Sequence, residues 1–318
     1  MGNHLDDWFT DPFPIEKVSM SSPDPHHVAG ARGLVAVSLA GVLWGTTGVV
    51  VQYLHRTVGL GAISIGFWRL LIAAVAMVAI SVPTFRRLLV ALRHHKLGMI
   101  GAGIGLAFYQ ACYFLAVVWV GVAVATMVSL GVAPVVITVW ESVRWRRWPP
   151  ARRLGAVIMA LAGLVLIQNG GQQAGGPHPG WGLMAALMSG TVYAATAVLS
   201  SRLTRTVPST ALTTVMVASG ALALLPLAAV EGLTGTAPWT AATVGGLIFI
   251  GVACTAVAYG LFNAGLRTVP SGAASILTLW EPLTAAVLAV LLLGEILSPA
   301  ALVGSALLLG SVMLSYLR

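Results

Sequence analysis

Long apolar stretches, interrupted by short charged segments, fill most of this chain of 318 residues. Hydrophobic residues make up 58% of it and charged residues only 8%, whereas about a quarter of a soluble domain is charged. A helix needs roughly 20 mostly apolar residues to cross a bilayer, so this pattern predicts an all-α polytopic membrane protein. The third and fourth stretches run together, and we divide them near Gly121. The ten predicted transmembrane helices are Leu34–Leu54, Ile63–Val82, Leu97–Trp119, Gly121–Trp140, Leu154–Gln168, Trp181–Leu199, Thr210–Val230, Thr240–Leu266, Ser271–Leu293 and Pro299–Leu317.

Basic residues are distributed unevenly between the predicted loops. If the N-terminus is cytoplasmic, every Lys and Arg except Arg56 and Arg69 lies on the inner side. Because Lys and Arg near helix ends remain in the cytoplasm, the sequence predicts a multi-pass protein of the cytoplasmic membrane with both termini inside. The net charge of +8 then faces the cytoplasm and the anionic headgroups of the lipid bilayer, not nucleic acid.

Two prolines, Pro134 and Pro282, occupy equivalent places in an internal repeat. The offset between them, 282 minus 134 or 148 residues, also places Phe262 on Phe114. Each half of the chain then holds five predicted helices, and an odd number inverts the second half relative to the first, as in many secondary transporters. Both prolines are candidate structural hinges. The predicted organisation is a disordered cytoplasmic tail at 1–30, a first five-helix repeat at 31–168, an outer-side linker at 169–180 and a second repeat at 181–318.

Two ionisable side chains remain inside predicted helices once the loops are set aside. Arg69 lies about a third of the way into the second stretch from its outer end, and Glu281 lies at the centre of the ninth. A charge in the hydrocarbon costs at least about 2.5–3.5 kcal/mol and usually serves a function, so both should face the protein interior. Glu281 either satisfies the turn that Pro282 disrupts or binds a proton or a cationic substrate group. Arg69 either fixes the second helix, through an ion pair or helix carbonyls, or binds an anionic substrate group.

Uncharged polar and aromatic residues inside the predicted helices complete the candidate site. Each of them alone is more often a contact between helices than a ligand contact, and the sequence leaves both alternatives open. These candidates for substrate or proton binding are Trp44, Thr47, Gln110, Tyr113, Tyr193, Tyr259, Asn263 and Trp280.

The remaining acids after the tail are expected at helix ends or in loops. Glu141 lies beside inner-side arginines and favours a solvated ion pair. Glu295 lies at the outer turn between the last two helices, where a role at a helix end is favoured. Glu231 is expected to be an ordinary outer-loop charge.

With these residues in place, the chain resembles the EamA-type branch of the drug/metabolite transporter superfamily over residues 33–317. The resemblance rests on LWGTTG in the first helix, FWRLLIAA in the second, YFLAVVWVGVAVATMVSLGVAP across the third and fourth, and LTLWEPLTAAVLAVLLLGEILSPAALVGSALLLGSVML at the end. It implies two inverted repeats, a central cavity, alternating access without ATP, and export of amino acids or other small metabolites. The sequence departs from the family pattern at Arg147, which stands where the first repeat usually has an acid.

These observations favour a secondary transporter that is not an enzyme. No Walker loop is present, so coupling would come from protons or from the substrate gradient itself. An uncoupled facilitator or channel for small metabolites is one alternative. An intramembrane enzyme is another, but all seven histidines lie in the predicted tail and loops, which leaves no base constellation at membrane depth. No cofactor or metal is expected, and the protein should be a monomer or a weak dimer.

Overall fold

The computed structural model describes residues 31–145, 151–170, 178–203, 206–265, 269 and 277–316, and no strand occurs among them. The predicted tail at 1–30, most of the predicted linker at 169–180 and Arg147 lie outside these ranges. The side chains of Glu141 and Pro134 also lie outside the description.

Ten helices cover the described ranges, which confirms the predicted all-α class. Six of them, α1, α2, α3, α6, α7 and α8, are long and apolar enough to cross a membrane, and the other four contain shorter apolar stretches. A 3₁₀ turn at Val82–Thr84 joins α2 to α3. The helices are α1 (Ala31–Val58), α2 (Ala62–Ser81), α3 (Phe85–Val120), α4 (Val122–Trp145), α5 (Ala151–Gly170), α6 (Pro179–Leu203), α7 (Ser209–Glu231), α8 (Ala241–Gly265), α9 (Trp280–Leu293) and α10 (Pro299–Tyr316).

The break between α3 and α4 falls at Gly121, as predicted. Its φ of +94° lies in the left-handed region, which glycine adopts without steric cost. One residue is therefore enough to reverse the chain direction between two long helices.

The start of α9 differs from the prediction. Ser271–Leu293 was expected to form one helix with Glu281 at its centre, but α9 begins at Trp280 and places Glu281 in its first turn. Pro282 also lies in this turn, where the main-chain N–H groups have no partner within the helix and a proline is tolerated. Position 134, its equivalent in the first repeat, lies instead within α4. The two prolines therefore have different helical surroundings.

Equivalent helices of the two repeats pack antiparallel to each other. At the start of α2, Ser64 Oγ donates to the carbonyl oxygen of Ala228 near the end of α7, at 3.3 Å. At the other end of this pair, the hydroxyls of Ser81 and Thr214 are 2.9 Å apart. Similarly, Nε of Arg152 at the start of α5 donates to a carbonyl near the end of α10. Antiparallel packing of counterparts is the arrangement that an inverted repeat requires.

Contacts between other helices also occur in pairs, and interchanging the two repeats converts one member of each pair into the other. The packing of α3 on α6 has its counterpart in α8 on α1, and the packing of α4 on α6 has its counterpart in α9 on α1. The described helices thus form one bundle with an approximate twofold relation, and its interior is lined by both repeats.

Apolar clusters lie at both ends of this bundle. We call the end with the α1–α2, α3–α4 and α9–α10 turns the outer end, after the predicted orientation, and the opposite end the inner end. One apolar cluster that extends to the outer end contains buried residues from every helix except α7. At the inner end, the described residues form two separate clusters, one around Leu203 on α3, α6 and α7 and one around Val37 on α1. A separate cluster around Leu224, with most of its residues on α2, α3 and α7, also reaches the outer end, so the described residues form two clusters at each end.

Replacing Gly163 with alanine tests the close approach of α5 and α10. A Cβ at this position would lie 2.6 Å from the carbonyl oxygen of Gly304, so we expect the free energy of unfolding to fall by about 1–3 kcal/mol. Gly155→Ala on the same helix is the matched control, because its Cβ would meet only a Leu314 methyl at 3.8 Å. Unfolding of both variants in detergent micelles, followed by circular dichroism, measures the difference. Equal stability would contradict this packing.

Candidate functional site

Arg69 of α2 hydrogen-bonds to α8 across the interface between the repeats. Its Nε donates to the Thr255 hydroxyl at 2.9 Å, and its Nη2 lies 3.5 Å from the carbonyl oxygen of Cys254. The guanidinium carbon also lies 5.8 Å from the centre of the Phe114 ring, within the range of a cation–π contact. The bond to a helix carbonyl is one of the two roles predicted for Arg69. Among the described residues, its Nη1 has no hydrogen-bond partner.

The local conformation of α8 accounts for these contacts. Residues Phe249–Val257 form a π-helical segment, which widens the helix and is frequent at functional sites. The Thr255 hydroxyl donates to the carbonyl oxygen of Ile250, five residues earlier, at 2.9 Å. A Cβ at Gly251 would lie 2.7 Å from Ile72 Cβ, so glycine is what allows α2 to approach this segment. The sequence analysis did not predict the π segment.

Glu281 reaches the same interior from α9. Its amide N–H donates to the carbonyl oxygen of Thr278 at 2.9 Å, so the main chain satisfies the turn that Pro282 was expected to disrupt. Its half-buried carboxylate makes no hydrogen bond or ion pair with the described residues, but it interacts electrostatically with Arg69, Tyr113 and Tyr259. The first turn of a helix also stabilises a negative charge through the helix dipole.

A chain of aromatic rings crosses the interior between the two repeats. The Tyr193 ring on α6 lies 5.4 Å from that of Tyr109 on α3, and the side chain of Tyr109 interacts with that of Tyr259 on α8. The Tyr259 ring then contacts Trp44 on α1 at 5.3 Å. The sequence analysis missed Tyr109, although it lies one helical turn before Tyr113 and therefore on the same face.

Two of the predicted site residues are held in contacts between helices. The Tyr113 hydroxyl is 2.7 Å from that of Thr126 on α4, and a Cβ at Gly48 of α1 would lie 2.9 Å from the same tyrosine oxygen. Gln110 is only 1% exposed and donates through Nε2 to the carbonyl oxygen of Gly66 at 3.2 Å. These contacts join α3 to α4, α1 and α2.

The other predicted residues lie in different environments. Thr47 is 3% exposed, and its hydroxyl has no hydrogen-bond partner in the described part of the chain. Asn263 is half-buried one turn after Tyr259. Trp280 is 47% exposed and borders an outward groove with Val35 and other residues of α1. The structure therefore packs Trp44 against Tyr259 and places Arg69 and Glu281 within electrostatic range of that tyrosine, but it directs Trp280 elsewhere.

No group of three or more His, Cys, Asp or Glu side chains that could hold a metal ion occurs among the described residues. The two cysteines, Cys112 and Cys254, are both buried and are not joined by a disulfide.

Comparison with known protein families gives a match to both halves of the chain. The model of the EamA-like transporter family matches residues 31–168 and again residues 180–317.

Similar proteins include transporters from bacteria. The uncharacterized transporter YwfM of Bacillus subtilis (strain 168) is 33% identical over 282 residues, which are 88% of this chain and 92% of that protein. The uncharacterized inner membrane transporter YicL of Salmonella typhimurium is 26% identical and covers 89% of this chain and 94% of its own. One solved crystal structure has the same fold, with a TM-score of 0.59 and 20% identity over 89% of this chain and 95% of that one.

Thr255→Val tests the attachment of Arg69 to α8. The substitution removes the hydroxyl that accepts from Arg69 Nε while keeping the side-chain shape, so we expect the free energy of unfolding to fall by about 1–3 kcal/mol. Thr191→Val is the control, because the exposed Thr191 hydroxyl bonds only to Leu187 of its own helix. Its effect should stay within about 0.5 kcal/mol. Thermal unfolding in detergent compares the two variants, and indistinguishable stabilities would show that this bond does not stabilise the bundle.

Proposed function

The chain belongs to the EamA-like transporter family, and we propose that it exports amino acids or related small metabolites across the cytoplasmic membrane by alternating access. Transport by a multi-pass membrane protein follows from the family. The substrate class, the direction and the orientation with both termini in the cytoplasm are the proposal. The basic residues on the predicted inner side support this orientation.

The arrangement of Arg69 and Glu281 is the observation that carries the substrate class. They come from different repeats and interact electrostatically, but they form no ion pair with each other. An amino acid has a carboxylate and an ammonium group, and these complement a guanidinium and a carboxylate on separate helices. The Arg69 guanidinium is already oriented by Thr255, so it loses little freedom on binding an anion. The neighbouring rings of Trp44 and Tyr259 offer apolar surface to the rest of the substrate.

The contacts that close the outer end support loading from the cytoplasm. At the outer end, the loop after α7 folds onto the α1–α2 turn, where the Thr236 amide donates to the carbonyl oxygen of Val58 at 2.9 Å. Trp68 Nε1 donates to the carbonyl oxygen of Leu233 in the same loop at 2.9 Å. We infer that this conformation faces the cytoplasm, which suits the uptake step of an exporter.

Coupling depends on which ligand Glu281 binds. If its carboxylate binds a proton when the substrate is absent, export is driven by the proton gradient. If it binds only the substrate ammonium group, the substrate gradient drives flux. Both modes of coupling use Glu281, and they differ in the pH dependence of transport.

Glu281→Gln and Arg69→Lys test the two charges. Each should lower kcat/KM for a transported amino acid at least about thirtyfold, because loss of one member of a charged contact costs roughly 2 kcal/mol or more. Arg69→Lys keeps the positive charge but loses the planar guanidinium group, which can donate two parallel hydrogen bonds to a carboxylate. The measurement is uptake of labelled amino acids into proteoliposomes at several pH values. Arg56→Lys is the matched control, since Arg56 is exposed and lies at the outer end of α1.

Three outcomes would contradict the proposal. Unchanged flux and pH dependence in Glu281→Gln would remove this carboxylate from the mechanism. Normal transport by a folded Arg69→Lys or Arg69→Ala variant would do the same for the arginine. A facilitator or channel would instead be indicated if flux did not saturate and unlabelled substrate on the opposite side of the membrane did not stimulate exchange.

A further inference from the structure

Glu231 of the second repeat caps the first turn of α2 in the first repeat. Its carboxylate oxygens accept from the amides of Ile63 at 3.3 Å and Ser64 at 2.6 Å. The N-cap residue of α2 is Gly61, which has no side chain to cap the helix itself. A Cβ at Gly61 would overlap the Glu231 carboxyl group. Glycine at this position therefore makes room for a cap supplied by the other repeat.

Glu295 forms a second cap of the same kind. Its carboxylate accepts from the amides of Val122 at 2.7 Å and Ala123 at 3.2 Å, in the first turn of α4. The residue before this turn is again a glycine, Gly121, where a Cβ would lie 3.0 Å from Glu295 Oε1. The expected helix-end role of Glu295 thus applies to α4 of the opposite repeat. The prediction of an ordinary loop charge for Glu231 is wrong, because the sequence gives no indication that α2 begins beside it.

Both contacts have a physical reason to be strong. The first N–H groups of a helix have no partner within it, and they carry the positive end of the helix dipole. A carboxylate that accepts two of them makes charge-assisted hydrogen bonds. Each carboxylate also joins the end of one repeat's helix to the start of a helix in the other, so each contact ties the repeats together at the outer end.

The inner end has no acid at the equivalent positions. With the offset of 148 residues, the counterpart of Glu231 is Pro83 and the counterpart of Glu295 is Arg147. The equivalent helix pair α2–α7 is joined there by the neutral hydroxyls of Ser81 and Thr214. The carboxylate caps are therefore an asymmetric addition to a symmetric scaffold.

We propose that Glu231 and Glu295 are two latches that hold the outer end of the transporter closed, and that both break when the substrate is released outward. This proposal rests on the alternating-access function above. In that mechanism the two repeats move relative to each other around a central site, and the outer ends of the α2–α7 and α4–α9 pairs separate. The latch residues act on the conformational equilibrium and do not contact the substrate.

Amide hydrogen exchange of the full-length protein in lipid nanodiscs tests the latches directly. Glu295→Gln should raise exchange roughly tenfold at residues 122–123, which corresponds to the loss of one charge-assisted hydrogen bond. Because the outer end opens as a unit, exchange should also rise at residues 63–64, which Glu295 does not contact. Glu231→Gln should give the reciprocal result.

A cap that lies within one repeat provides the matched control. Thr240 caps α8 through a capping box with Thr243, also at the outer end but without joining the two repeats. Thr240→Val should raise exchange only at the start of α8. If each glutamate variant likewise raised exchange only at its own cap, the two residues would be local caps and the latch proposal would be overturned.

A reversible cross-link tests the proposal in the opposite direction, because it locks the contact at Glu231 instead of weakening it. In the double variant Gly61→Cys and Glu231→Cys, oxidation should lock the outer end, abolish amino acid exchange in proteoliposomes and allow its return after reduction. Transport that survives complete cross-linking would overturn the latch proposal. Hydrogen exchange needs no substrate, so coupled opening of both caps in a protein that transports no amino acid would contradict only the proposed function.

Discussion

Main-chain hydrogen bonding at membrane depth is the constraint on which the rest of this structure depends. Without water, every N–H and C=O group in the hydrocarbon needs a partner within the protein. At four places the described chain departs from a regular helix or begins one where a specific partner satisfies the main chain. The π segment of α8 meets Arg69, the start of α9 is satisfied by the Glu281 amide, and the first turns of α2 and α4 receive carboxylates.

The two repeats differ at these same places, where a specific partner satisfies the main chain. The scaffold itself follows the inverted duplication, since α2 packs antiparallel to α7 and α5 to α10. The charged groups do not follow it, because Arg69 belongs to the first repeat, whereas Glu281, Glu231 and Glu295 belong to the second. A symmetric scaffold gives two related conformations, and asymmetric charges give each conformation its own contacts. We consider this division between shared packing and unshared charge to be the organising feature of the molecule.

The sequence predicted the helices well because each depends on local composition. The turn at Gly121 was predictable from the length of the apolar run that it divides. The position of Glu281 was not, because nothing in the apolar sequence marks the turn at Thr278 and Leu279 that precedes the start of α9 at Trp280. Tyr109 was within reach, since helical spacing places it beside Tyr113. Trp280 was predicted to line the site because it is next to Glu281 in the chain. Adjacent side chains on a helix point about 100° apart, however, and Trp280 points away from the site.

The sequence by itself determined that this is a membrane protein of ten helices in two inverted repeats, because hydrophobic length and loop charge act within single segments. Only the tertiary structure decided which polar groups meet. Glu231 and Ile63 are far apart in the chain, and so are Arg69 and Thr255. Their contacts arise from the antiparallel packing of whole helices through glycines such as Gly61 and Gly251. No local pattern records such a partner, since a carboxylate or a guanidinium finds it only after the bundle has formed.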